Sequence, residues 1–361
     1  MTVAPLPLPQ FAQARQGRSS PHPPRAPDAV HAAGRMLDSH GRTIRDLRLS
    51  LTDRCNFRCT YCMEPDVRFA APESLLQAED FVRLARVAAD LGVHKIRLTG
   101  GEPTLHPALG EIIAGIRVHT GCEIALTTNG SMLDRASLRA WSAAGLDRVT
   151  ISLDTLRPDR FARITRSTCS PQRVLAAIED CLAEGLGPVK VNAVLVRGVN
   201  DDEAANLAAL ARRPGVEMRF IEWMPLDSGR AWDPDRWVSA AETRAMIERR
   251  FPLVPLPTDD PSSTARTFAF ADGTPGSVGF IAPVSSPFCG ACSRLRVTAD
   301  GMVRPCLFSV QEWDIRPALR SGHDADVAAF LIDATHTKQP GHGITQPGFE
   351  PPPRPMSAIG G

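Results

Sequence analysis

The chain has a single tyrosine, Tyr61, and no apolar run of about 18 residues. The second absence excludes a membrane-spanning helix, and no apolar core of signal-peptide type stands near the start. Net charge is almost lacking: 41 Lys and Arg stand against 40 Asp and Glu, which leaves +1. That balance argues against a global basic surface for nucleic acid or membrane, so the cations for any anionic ligand have to be local. A disulfide framework does not fit either. The nine cysteines are odd in number and tightly spaced, and a chain of 361 residues needs no staples. A reducing, cytoplasmic setting with metal ligation is the better reading.

What the chain does have is two thiol triplets. Cys55, Cys59 and Cys62 stand at C-x3-C-x2-C directly after an apolar run, and Tyr61 lies inside the motif. Cys289, Cys292 and Cys306 form the second set. Thiolates hold iron–sulfur clusters and structural zinc, and structural zinc takes four protein ligands. Neither set has a fourth Cys or His nearby in sequence. Three thiolates on a cubane leave one iron open for a small chelating molecule, so a cluster is favoured over zinc at both. Arg294 and Arg296 follow Cys292, and arginines fork onto phosphate or purine acceptors, although solvated strand charge is the plain alternative. Cys122 and Cys181 read as structural, and Cys169 has no role that sequence reveals.

Residues 1–40 carry seven prolines, four arginines and only two acids, Asp28 and Asp38, which reads as a disordered extension. From residue 41 to 250 strands and helices alternate. Strands are expected at 47–51, 94–99, 123–128, 148–153, 189–196 and 217–224. Helices are expected near 75–91, 109–118, 134–144, 174–182 and 202–212. The strands lack clean alternation, as in a parallel sheet buried on both faces. The expected fold is therefore α/β, a partial βα barrel of six units with its functional edge at the strand C-termini. Residues 251–361 read as a smaller packed unit bearing the second cluster. It has strands at 266–270 and 277–281, a helix near 324–335 and an extended tail.

The triplet Cys55-x3-Cys59-x-Tyr61-Cys62 resembles the signature of radical S-adenosylmethionine enzymes, and Gly100-Gly101-Glu102-Pro103 resembles their GGEP motif. With Cys289-x2-Cys292-Ser293-Arg294-Leu295-Arg296, Cys306 and the closing Gly360-Gly361, the resemblance narrows to the GTP 3′,8-cyclase family of molybdenum cofactor biosynthesis. It covers about residues 43–361. It implies two [4Fe-4S] clusters, on Cys55, Cys59 and Cys62 and on Cys289, Cys292 and Cys306. It places Tyr61, Gly101, Ser152 and Met224 at S-adenosylmethionine. It places Arg48, Arg97, Thr127, Lys190, Arg294, Leu295 and Arg296 at GTP, and gives Gly360 and Gly361 a catalytic part. Two glycines in GGEP would let the backbone approach the cofactor. Ser152 could equally be a satisfied core hydroxyl, and Met224 plain packing.

The same resemblance implies a reaction. The reduced cluster cleaves S-adenosylmethionine, the resulting radical takes hydrogen from C3′ of GTP, and C3′ bonds to guanine C8. It also implies a low-potential electron donor and functional coupling to the cyclic pyranopterin monophosphate synthase, and it leaves a homodimer open. The rival readings are a peptide- or sulfatase-modifying enzyme of the same superfamily with an auxiliary cluster, and a non-catalytic zinc-stabilised binding module.

Overall fold

The computed structural model describes residues 18–226 and 232–360. A short strand, β1 (Arg18–Ser20), and a helical turn, α1 (Asp28–Ala32), precede the repeating core. The core runs β2 (Asp46–Ser50), α2 (Ala78–Asp90), β3 (Lys95–Thr99), α3 (Leu109–His119), β4 (Glu123–Thr128), α4 (Arg135–Ala144) and β5 (Arg148–Ser152). It continues with α5 (Pro158–Thr165), α6 (Pro171–Ala183), β6 (Val189–Leu195), α7 (Ala204–Ala209), β7 (Val216–Glu222) and α8 (Ala240–Glu248). Then come β8 (Leu253–Pro255), β9 (Arg266–Phe270), β10 (Ser277–Ile281), β11 (Arg294–Val297), β12 (Met302–Arg304) and β13 (Gln311–Asp314). The helices α9 (Arg316–Arg320), α10 (Asp324–His336) and α11 (Met356–Ile359) close the chain.

Local chemistry sets these boundaries. Helix α2 starts on a capping box, Gln77 with Asp80, and buries Phe81, Leu84, Ala85 and Ala88 at helical spacing. Asp134 caps α4 by accepting from the Ser137 N–H, and Gly145 at φ +114° ends it in a left-handed turn. Among the described residues no helix is long and apolar enough to cross a membrane.

Strands β2 to β7 lie side by side in chain order, all parallel. Their outward positions (Leu47, Leu49, Ile96, Leu98, Val149, Ile151, Val191, Met218) are fully buried under the helices. The opposite face is not apolar. In β6 and β7 burial alternates strictly, and the less buried positions include Lys190, Asn192, Glu217 and Arg219. The expected sheet buried on both faces is thus corrected. One face packs on helices, and the other carries charged side chains.

Three other expectations change. The region after residue 251 forms no sheet of its own. Strands β8–β10 extend the sheet beyond β7, while β11–β13 extend it beyond β2, giving one 13-stranded sheet. The chain therefore crosses from one edge of the parallel core to the other between β10 and β11, and this crossing carries Cys289 and Cys292. What the region does add is a small apolar cluster in which its Val284, Phe308, Ile344 and Phe349 gather around Leu226. Residues 18–40 are also not loose. Strand β1 pairs with β13, Met36 is fully buried, and Asp333 accepts from the Ala26 N–H and from His31 at 2.8 Å each. A Pro-rich segment with little to bury alone is held because another part of the chain supplies its edge and its hydrogen-bond partners. The tail after 339 is likewise not extended throughout: it turns through α11 and buries Ile359.

Candidate active site

The first triplet sits on the loop leaving β2. The GGEP loop leaving β3 fixes it. The Gly101 N–H donates to the Thr52 carbonyl and the Glu102 N–H to the Arg54 carbonyl, both at 2.7 Å. A Cβ on Gly100 would collide with Thr52 O, and one on Gly101 with Arg54 O. These glycines let two loops touch, so their contact here is with the cysteine loop itself. Glu102 is fully buried and ties the next strand end to them. Its carboxylate accepts from Thr104, from the Thr128 hydroxyl at 2.7 Å and from the Asn129 N–H at 2.7 Å. The Asn129 side chain in turn donates to Asn56 at 2.8 Å.

All three thiols are held above the ordinary range, by burial first. Cys62 reaches about 12, with Cys55 adding repulsion and the Ser357 main chain donating to its sulfur. Nothing cationic competes strongly with that burial. Tyr61 donates to Asp154 Oδ2 at 2.7 Å. Asp154 also accepts from the Val194 N–H at 2.8 Å. Burial raises the Asp154 carboxyl to about 6.

The charged face is built by register. Arg296 lies beside Arg48, and Arg48 beside Arg97. Further along, Thr150 pairs with Lys190, and Ser152 with Asn192, which neighbours Arg219. Nearer the strand N-termini charges are matched: Glu123 takes Lys95 at 2.9 Å and Arg148 at 3.1 Å, and Glu217 takes Arg219 at 2.6 Å. The Arg296–Arg48–Arg97 row is not matched. Arg97 donates to the Thr127 and Thr150 hydroxyls at 3.0 and 3.3 Å, yet its Nε and that of Arg48 are buried without a partner among the described residues. Burial, then Arg296, push the Arg48 guanidinium well below the usual arginine range, and Asp46 offsets this only in part. Burial, then Arg294, bring Arg296 to about 10. Burial, then Arg219, bring the Lys190 ammonium down to about 8. Buried cations without carboxylate partners fit a polyanionic ligand.

The second triplet differs in its electrostatics. Cys289 opens a single helical turn that Cys292 ends, and Cys306 packs against the apolar cluster that contains Phe308. Burial pushes the Cys292 thiol up, but Lys338, Arg294 and Arg42 outweigh it and bring it to about 7. Arg42 is a component that sequence reasoning misses. It pairs with Asp38 at 2.5 Å and donates to the carbonyls of Cys289 and Pro340 at 2.8 and 3.0 Å. The fold also brings in a distant histidine, His342, whose N–H donates to Cys289 while its ring packs on Phe308. Among the described residues no group of three His, Cys, Asp or Glu side chains is arranged to hold a single metal ion.

The remaining expected residues divide. Leu295 is fully buried in the main apolar core, on the strand face opposite Arg294 and Arg296, so its side chain does not line the site. Arg294 donates to the Ser262 carbonyl at 3.0 Å and lies over Phe288. Met224 packs against the apolar cluster that contains Leu226 and Phe308. Gly360 reaches the interior: Arg296 donates to its carbonyl, and a Cβ on it would collide with the Ser50 hydroxyl. Gly361 lies outside the described residues. Lys95, Asn192 and Arg219 share the charged face and do not stand out in the sequence; their placement depends on strand register, which only pairing fixes.

The sequence pattern of the Radical SAM superfamily matches residues 49–211, and that of Molybdenum Cofactor Synthesis C matches residues 216–344. The GTP 3′,8-cyclase of Streptomyces coelicolor is 45% identical over 330 residues, covering 90% of this chain and 96% of that one. That of a Mycobacterium sp. (strain KMS) is 43% identical over 365 residues and covers 100% of both chains. The crystal structure of Streptococcus suis SuiB bound to precursor peptide SuiA aligns with a TM-score of 0.55 at 15% identity, over 74% of this chain and 61% of that one, and shares the fold alone.

Proposed function

We infer the function from one premise: the chain belongs to the radical S-adenosylmethionine superfamily and, within it, to the GTP 3′,8-cyclase family. It converts GTP to 3′,8-cyclo-7,8-dihydro-GTP, the first step of molybdenum cofactor biosynthesis. The relatives that carry this reading set aside a peptide- or sulfatase-modifying activity. A [4Fe-4S] cluster and S-adenosylmethionine come with superfamily membership.

Cys55, Cys59 and Cys62 would hold that cluster, with Tyr61, Gly101, Ser152 and Met224 around S-adenosylmethionine. Cys289, Cys292 and Cys306 would hold a second cluster; the cationic surroundings that favour a thiolate at Cys292 support this. When bound, the first cluster and S-adenosylmethionine supply the one-electron chemistry that activates C3′–H of GTP. The chain's own residues bind, orient and exclude water. Arg48, Arg97, Arg296 and Lys190 neutralise the triphosphate, Arg294 orients the nucleotide beside the second triplet, and Thr127 fixes the Arg97 fork. Gly360, whose carbonyl accepts from Arg296, would close the site, and Gly361 would share the catalytic part that the family gives this pair.

The six-strand core would curve into a partial barrel. Support comes from Arg97 on β3, which reaches Thr150 on β5 at 3.3 Å and feels Arg219 on β7. In a flat sheet four strand spacings would separate the last pair by about 19 Å. An outside low-potential reductant, coupling to the cyclic pyranopterin monophosphate synthase and a homodimer belong to the same proposal.

The observation that carries the GTP reading is the Arg296–Arg48–Arg97 row, buried at Arg296 and half-buried at the other two, without carboxylate partners among the described residues. The test is anaerobic turnover with GTP deuterated at C3′. Deuterium is expected in the 5′-deoxyadenosine released; its absence there would sink the assignment.

A further inference from the structure

Arg354 stands six residues before Gly360, on the tail that returns over the site. Its guanidinium forks onto Asp300 at 2.9 and 2.8 Å and also reaches Glu312 at 2.8 Å. Asp300 lies in the turn between β11 and β12, and Glu312 on β13. The other Glu312 oxygen takes the fully buried Arg304 at 2.7 Å. Two cations and two carboxylates thus form one chain of charge-assisted bonds. An exposed pair would contribute little, but these side chains are about three-quarters or more covered and the fork is bidentate.

The position of this grip matters because of what it touches on each side. Asp300 follows β11, which carries Arg294 and Arg296, and Cys306 lies in the connection from β12 to β13, the strand of Glu312. Directly after Arg354, the Met356 N–H donates to the Cys62 carbonyl at 3.3 Å and the Ser357 main chain donates to the Cys62 sulfur. Four residues further, Gly360 accepts from Arg296. Met356 also packs on the apolar cluster of Phe308 and Phe349 that Cys306 borders. The last turn therefore contacts the first triplet and the cationic row, and Arg354 fixes where it begins.

We infer that Arg354 is a positioning residue for the cyclisation: its ion pairs to Asp300 and Glu312 seat the final turn against Cys62 and Arg296, between the first triplet and the cationic row. The inference rests on the active-site reading given above. A misplacement of about 1 Å at such a turn lowers turnover by about 100-fold without touching the cysteines.

The test compares Arg354→Gln and Arg354→Lys with the wild type in the full chain. Limited proteolysis of the protein without clusters or substrate is followed by mass spectrometry of the C-terminal fragment. Iron content after reconstitution, melting temperature and the ratio of 5′-deoxyadenosine to cyclised product complete the set. Arg354→Gln is expected to release the tail at least tenfold faster and to raise that ratio, while melting temperature and iron content stay at wild-type level. Arg354→Lys, which keeps the charge but loses the fork, is expected to fall between. Wild-type tail cleavage in Arg354→Gln overturns the inference, as does an unchanged product ratio. Iron loss or a lowered melting temperature in Arg354→Gln also overturns it, because the residue is then structural. The proteolysis arm needs neither cluster nor GTP, so its failure is distinguishable from a wrong reaction assignment.

Discussion

The hydroxyl of Tyr61, the chain's only tyrosine, donates to the buried carboxyl of Asp154 at 2.7 Å. This bond ties the cysteine loop leaving β2 to the end of β5, three strands away in the sheet. Removing the hydroxyl leaves Asp154 Oδ2 buried without its donor. We expect Tyr61→Phe to lower stability by about 1–3 kcal/mol in urea unfolding, the usual penalty for an orphaned buried polar group. Asp154→Asn in the Tyr61→Phe background should add much less than it does alone, since the two changes remove one interaction. Strict additivity in that cycle would show the bond to be incidental.

Gly101 predicts a separable defect. Its Cβ space is filled by the carbonyls of Arg54 and Asp53. In Gly101→Ala the cysteine loop has to move, at a strain of about 1–3 kcal/mol. Iron analysis after anaerobic reconstitution should then show about half the wild-type iron, with the second triplet still loaded. Full iron incorporation would mean that the loop tolerates the shift and that the glycine serves another purpose.

The pH dependence of GTP binding follows from Lys190. Burial lowers its ammonium to about 8 from an ordinary 10.5. A bound triphosphate favours the charged form, so binding above pH 8 takes up a proton. The dissociation constant should be flat below pH 8 and rise by up to about tenfold per unit above it. Stability runs the other way. Between about 8 and 10.5 the unfolded chain holds the Lys190 proton and the folded chain does not, so this residue's contribution to stability rises with pH across that window. Calorimetric titration of GTP at pH 7, 8 and 9, with Lys190→Met as the control lacking the inflection, checks the sign.

Much of the fold is legible in the amino-acid sequence. Strands β4, β9 and β10 have the bounds that their Val, Ile, Thr and Phe runs announce, and Gly92 ends the first core helix region as its position implies. Helix α8 escapes the periodicity reading although Ser239 and Glu242 make a capping box, which is a readable signal. Helix α5 offers less, since only Phe161, Ile164 and Thr165 are buried along it. Both thiol triplets are plain from spacing. What spacing cannot reveal is adjacency across the sheet. Arg219, Lys95 and Asn192 join the charged face only through register, and Arg42 reaches Cys289 across 247 positions. The C-terminal strands add to both sheet edges, a topology no local pattern encodes.

The sharpest prediction concerns Arg48. Its side chain is half-buried beside Arg296 and Arg97, with Nε buried and lacking a partner among the described residues. A buried cation of this kind opposes folding, and its depressed pKa has the same origin: the folded state disfavours the charge. Replacing a buried ion by an apolar side chain of similar length is often stabilising, by about 1–4 kcal/mol. Arg48→Met should therefore unfold at higher urea than the wild type when GTP is absent. The same variant should bind GTP at least tenfold more weakly, because one cation of the row is gone. Excess GTP should stabilise the wild type more than the variant and narrow or reverse the gap, as mass action requires. A variant that is both less stable and normal in GTP binding would make Arg48 an ordinary structural arginine and remove the triphosphate from this face of the sheet.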